Sequence, residues 1–263
     1  ARLHMTPHSF THSLRRIVPL AWPVLVGQVS VLAFSTVDTV LVARTSTEDL
    51  AALAVGGAAY ITIFIGLMGV VLALSPIVGR LHGAKQLVEA GAQLHQAVWL
   101  ALGLSVLGCA LLAFPAPFLA LSHASPEVSA KVRGYLMALA VALPASLLFT
   151  AFRAFNTAVS RPKAVMLLQL GTLGLKVPLS MALVAGMPSL GVPALGVLGC
   201  GVATAITMWL QVGAGVLLLR HDPFYAQFQL SKARRLAPPN RAALMALLRL
   251  GVPIGLSVLI EVT

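Results

Sequence analysis

Long apolar runs separated by short basic stretches dominate the chain. Segments free of Lys and Arg cover 17–43, 50–79, 97–121, 134–152 and 190–219, and 164–187 carries a single lysine. Each is near or above the ~20 residues that cross a bilayer as a helix. Runs such as VWLALGLSVLGCALLAF, from Val98, do not alternate, which excludes the strands of a membrane β-barrel. The first run is too long for a secretory signal and is followed by further spans. The pattern predicts an all-α integral membrane protein with six transmembrane helices. A seventh run starts near Ala242, but only fourteen residues follow Arg249, ~21 Å of helix against a hydrocarbon core of ~30 Å. The expected organisation is a cytoplasmic N-terminus over 1–16, a six-helix bundle over 17–219, a cytoplasmic linker over 220–241 and a truncated seventh helix over 242–263. The chain is read as a fragment, with the residues ahead of Met5 read as a non-native leader.

Polar positions inside the spans carry the functional signal. At 100° per residue, Gln28, Ser35, Asp38 and Thr39 fall within a 100° arc of the first helix. In the fifth, Gln169, Thr172, Lys176 and Ser180 fall within 80°, and in the sixth Thr204, Thr207 and Gln211 fall within 60°. Ser257 and Glu261 are i and i+4 on the seventh. Hydroxyls and amides are explained by helix–helix contacts worth ~0.6–2 kcal/mol each. That explanation does not reach Asp38, Lys176 and Glu261, because a charge at membrane depth costs about 2.5–3.5 kcal/mol even on lenient scales. These faces are expected to turn inward, lining an ion or substrate path. Counted from helix midpoints, Lys176 is central and Asp38 about eight residues outward, ~12 Å along a straight helix, so pairing requires tilt or shifted boundaries.

Composition agrees with this class: 59% hydrophobic and 10% charged residues, with a mean hydropathy of +0.94, against ~25% charged in soluble domains. Charge sets the expected orientation. With the N-terminus in the cytoplasm, fourteen of the eighteen Lys and Arg, Arg153 among them, fall on that side. Arg44, Lys131 and Arg133 fall outside and Lys176 within a span. The net charge of +11 thus reflects loops facing anionic lipid, and nucleic acid is excluded as a partner because no aromatics interleave the basic residues.

Cys109 and Cys200 lie mid-span without CxxC spacing, so no metal site is expected, and no nucleotide, zinc-protease or nucleophile motif is present. The chain reads as a non-enzyme. His82 and His95 are read as solvated or interfacial rather than as a proton relay. LAWPVLVGQVS from Leu20 is echoed by LGVPIGLSVLI from Leu250 after an even number of spans, the arrangement of transporters built from two parallel halves.

LAWPVLVGQVSVLAFSTVDTVLVAR with LAALAVGGAAY, SPIVGRLHGAKQ, KVPLSMALVAG and RLGVPIGLSVLIEV together resemble the multidrug and toxic compound extrusion (MATE) transporters, NorM-like branch. The resemblance implies the N-lobe of a twelve-helix, two-lobed exporter in the inner membrane. It implies amphipathic or cationic drug-like substrates exchanged for H⁺ or Na⁺, the lipid bilayer and a C-lobe of the same polypeptide as partners, and no cofactor. By position, Asp38 matches the family's N-lobe coupling carboxylate and Glu261 its acidic residue on the seventh helix. Sodium-linked relatives carry asparagines where this sequence has Lys176 and Ser180, which points to H⁺. A lipid-linked oligosaccharide flippase of the same superfamily is the alternative; pyrophosphate would call for more basic residues in the spans.

Overall fold

A computed structural model describes residues 7–116, 119, 125–187, 193–230 and 236–262, with side chains described from residue 18 onward except at 20, 261 and 262. The helices are α1 (Pro7–Ala43), α2 (Thr47–Leu72), α3 (Leu74–Gly83), α4 (Leu87–Ala113), α5 (Pro126–Ala158), α6 (Pro162–Val184), α7 (Gly196–His221) and α8 (Arg241–Val262). Among the described residues, seven stretches are long and apolar enough to cross a membrane, with α2 and α3 forming one of them. This is a multi-pass, all-helical membrane bundle.

Local chemistry sets the helix ends. Ser46 caps α2 by accepting the Asp49 N–H at 3.0 Å, with Glu48 and Asp49 in the first turn against the positive end of the helix dipole. Ser125 caps α5 in the same way, and Pro126 and Pro162 open α5 and α6 where a missing N–H costs nothing. The turns after α3 and α5 pass through left-handed Lys85 and Ser160. Gln86 N–H then reaches Leu81 O at 2.9 Å and Arg161 N–H reaches Asn156 O at 2.8 Å, closing each helix with a long back-bond. Pro76 separates α3 from α2: it cannot donate to Leu72 O and its ring crowds that carbonyl, so the helix breaks at Ala73.

Several boundaries differ from the sequence reading. The third span is 87–113 rather than 97–121, the fourth 126–158 rather than 134–152, and the sixth 196–221 rather than 190–219. Polar residues at the membrane interface continue the helices, so a criterion built on apolar runs cuts them short. Arg153, assigned to a cytoplasmic loop, stands inside α5.

α5 is the most buried span and packs on α2, α4 and α7, while α1 is peripheral and rests mainly on α6. α8 lies along α2 through a backbone crossing. A Cβ on Gly69 would sit 2.3 Å from Gly255 Cα, and one on Gly251 2.4 Å from Val70 O. Only glycine allows helices to approach so closely.

The described part of the segment read as a linker folds onto the bundle. A 3₁₀ turn, Pro223–Phe228, buries Tyr225 and Phe228, and Tyr225 Oη donates to Asn156 Oδ1 at 2.5 Å. Arg161 pairs with Asp222 and stacks 4.2 Å above the Phe224 ring. The Phe224 N–H, and then the Arg161 guanidinium, hold the Asp222 carboxyl below the usual carboxylate range. Further on, Gln96 donates to Pro238 O at 3.0 Å and accepts the Asn240 N–H at 2.8 Å, while Trp99 donates to Ala237 O at 2.9 Å. His82 and His95, expected to be solvated or interfacial, are both half-buried: His82 lies against Phe228, and His95 accepts the Ala237 N–H.

Candidate functional site

α1, α6 and α7 meet at a buried ion pair. Lys176 Nζ, with the residue only 1% exposed, donates to Asp38 Oδ2 at 2.7 Å and to Thr204 Oγ1 at 2.6 Å. Thr204 passes its own proton to Cys200 O at 2.9 Å, so its lone pair is free for the ammonium. The Phe34 ring lies 4.9 Å from Nζ and supplies a cation–π face. The Ser180 hydroxyl and Cys200 thiol stand beside the Asp38 carboxylate. Among the described residues, Asp38 Oδ1 and Ser180 Oγ are buried without a hydrogen bond. One carboxylate oxygen therefore holds the lysine and the other is uncommitted.

The sequence builds this pair through helix register. The spans run Ala21–Ala43 and Pro162–Val184, which places Asp38 about six residues and Lys176 about three residues past their midpoints, a gap of ~4.5 Å. The expected ~12 Å separation follows from boundaries set a few residues off, and a lysine side chain easily spans the real one. Gly27 lets α1 come close, because a Cβ there would lie 2.3 Å from Gln169 Oε1.

The expected stripes divide. On α6, Gln169, Thr172, Lys176 and Ser180 are all buried, and on α7 Thr207 and Gln211 are buried with Thr204 half-buried. On α1 Asp38 is buried, whereas Gln28, Ser35 and Thr39 are exposed, Gln28 lining a cavity shared with α5 and α6. The arc is right but its centre is not: α1 packs through Pro23, Gly27, Ser30, Asp38 and Val42, and Asp38 is where the polar arc and the packing face overlap. Ser35 and Thr39 return their hydroxyls to Leu32 O and Ser35 O. Ser257 is exposed and donates to Pro253 O at 2.9 Å. The Glu261 side chain lies outside the described residues, as do the basic residues Arg2, Lys232, Arg234 and Arg235. Sequence reasoning does not find Phe34, Cys200 and Arg153 as neighbours of polar sites; an arginine five residues before a helix end is the available signal for the last.

The family model described as MatE matches residues 23–182. The chain belongs to the MatE family. Among MatE relatives, "Probable multidrug resistance protein NorM" of Aromatoleum aromaticum is 44% identical over 248 residues, covering 94% of this chain and 53% of that protein. "Multidrug resistance protein NorM" of Aliivibrio fischeri is 34% identical over 257 residues, covering 97% and 55%. The crystal structure of a eukaryotic MATE transporter, AtDTX14, superposes with a TM-score of 0.83 at 17% identity over 96% of this chain and 54% of that one, a likeness of fold. The chain spans about half the length of the curated relatives it matches. The names of both relatives describe multidrug resistance proteins.

Proposed function

We propose that this chain forms the N-lobe of a multidrug exporter that exchanges amphipathic or cationic drug-like substrates for H⁺, with Asp38 as the coupling carboxylate. The observation that carries the reading is the buried Lys176–Asp38 contact at 2.7 Å. Two charges kept out of water are costly unless each neutralises the other, and a MatE bundle that retains both has a use for changing one. In the paired state Lys176 holds α6 against α1. A proton taken by Asp38, through its uncommitted Oδ1, removes the charge that holds the ammonium and frees the two helices to shift. Lys176 occupies the place where a bound Na⁺ would need oxygen ligands, which favours H⁺. In the full-length exporter the N-terminus is cytoplasmic, the protein sits in the inner membrane, and a C-lobe of the same polypeptide, with Glu261 on its first helix, completes the pathway.

The test uses the full-length protein in proteoliposomes. Asp38→Asn should reduce export of a cationic dye under an imposed pH gradient at least tenfold, and Lys176→Asn should allow a Na⁺ gradient to drive it. Wild-type H⁺-driven export by Asp38→Asn would overturn the assignment.

A further inference from the structure

A second polar place lies about ten residues before Asp38 along α1, ~15 Å away by helical rise. Arg153 on α5 borders a cavity of about 250 Å³ between α1, α3, α5 and α6. Arg153 is half-buried, and among the described residues its hydrogen bond runs from Nη2 to Met68 Sδ at 3.5 Å. A thioether is a weak acceptor, and arginine presents five N–H donors. Among the described residues the carboxylates that form ion pairs are Asp38, Asp49 and Asp222, each with a different cation. Arginine also cannot shed its charge by losing a proton.

The rest of the cavity wall has the matching character. Gln28 and Gln169 bring amide donors, Ser75 and Thr157 bring hydroxyls, and Pro23, Leu72 and Val165 supply apolar surface. Among the described residues no carboxylate lines it. A planar cation with neutral donors around it suits an oxyanion, held two-pronged by the guanidinium, with an apolar body resting on the remaining wall.

We propose that this cavity binds the oxyanion of an amphipathic ligand, either the carboxylate of a soluble compound or the phosphate of a phospholipid entering from the bilayer. The inference goes beyond the proposed exchange with H⁺ and does not depend on it. It gives the MatE lobe a place for anionic and zwitterionic ligands, apart from the Asp38–Lys176 pair.

The experiment measures equilibrium binding with no ion gradient, so a failure of coupling does not affect it. Full-length protein in phosphatidylcholine nanodiscs is titrated with rhodamine B and, separately, with its ethyl ester, which differs only in lacking the free carboxylate. Arg153→Gln should weaken binding of the acid about tenfold and leave the ester unchanged, with Arg153→Lys in between. For the lipid source, native mass spectrometry from discs containing phosphatidylglycerol should show that lipid retained by wild type and lost from Arg153→Gln. Either result supports the site. Equal affinity for the acid in both proteins together with equal lipid retention overturns it, as does an equal loss for acid and ester with lipid retention unchanged. Should Arg153→Gln fail to fold, Thr157→Leu fills the cavity and keeps the cation, and unchanged affinity for the acid together with unchanged lipid retention in that variant overturns the proposal.

Discussion

Converting Asp38 to Asn strands a charge that the fold has sealed away. Lys176 Nζ sits 2.7 Å from Asp38 Oδ2 and the residue is 1% exposed, so the gross attraction is about 6 kcal/mol at an effective dielectric of ~20. Most of that offsets the cost of drying both groups. What the variant loses is better judged from buried pairs cut on one side, about 3–5 kcal/mol. Thr204 and the Phe34 ring remain beside the ammonium, which places the expected loss near the lower end, about 3 kcal/mol. Lys176→Met removes the other partner while keeping the packing volume, and the double variant removes both. Unfolding of the full-length protein by SDS in mixed micelles gives the four corners of the cycle. The double variant should be less destabilised than the sum of the singles by at least about 1.5 kcal/mol, well outside the ~0.5 kcal/mol within which independent sites add. Additive losses would show that the two charges do not hold each other, and the proposed switch would lose its basis.

Two further outcomes are expected. Gly69→Val puts a Cβ 2.3 Å from Gly255 Cα; α8 must move off α2, and the full-length variant should be destabilised in SDS unfolding by about 1–3 kcal/mol, whereas unchanged stability would mean the helices do not cross there. The Asp222 carboxyl is held below its ordinary value by the Phe224 N–H and Arg161, so it stabilises the clasp above its unfolded pKa of ~3.9 and that contribution is lost as pH falls through the lower folded value. Proteolysis after Arg220 should therefore accelerate below about pH 4 in wild type, and Asp222→Asn should be cut at the acid rate already at pH 7; a pH-independent rate in wild type would refute this.

How much is legible in the sequence depends on the strength of the physical constraint. Hydrocarbon thickness makes spans unmistakable, and the free-energy cost of burying charge makes Asp38 and Lys176 visible without any knowledge of packing. The stripes on α6 and α7 read correctly as inward because their polar arcs coincide with the buried faces. On α1 the same arithmetic does not locate the packing face, since a helical wheel gives only relative angles: Ser35 and Thr39 are exposed while Pro23, Gly27 and Ser30 are buried. Helix ends are misjudged where amphipathic residues such as Gln96, Lys131 and Arg153 extend a helix past its apolar run. The folding of 223–230 onto α5 rests on Asn156 meeting Tyr225, two residues sixty-nine apart, and no local pattern announces such a contact.

The clamp of Gln96 on Pro238 and Asn240 bears on how α8 can travel. Held at Asn240, just ahead of its first residue, and touching α2 glycine to glycine further along, α8 cannot slide lengthwise without tearing those bonds; it is mounted as a lever whose fulcrum is its own start. Over its 22 described residues α8 rises about 33 Å, so a swing of about ten degrees about that start carries Val262 roughly 6 Å. A small local adjustment at the glycine crossing is in this way geared up into a displacement about as large as a helical turn further along α8.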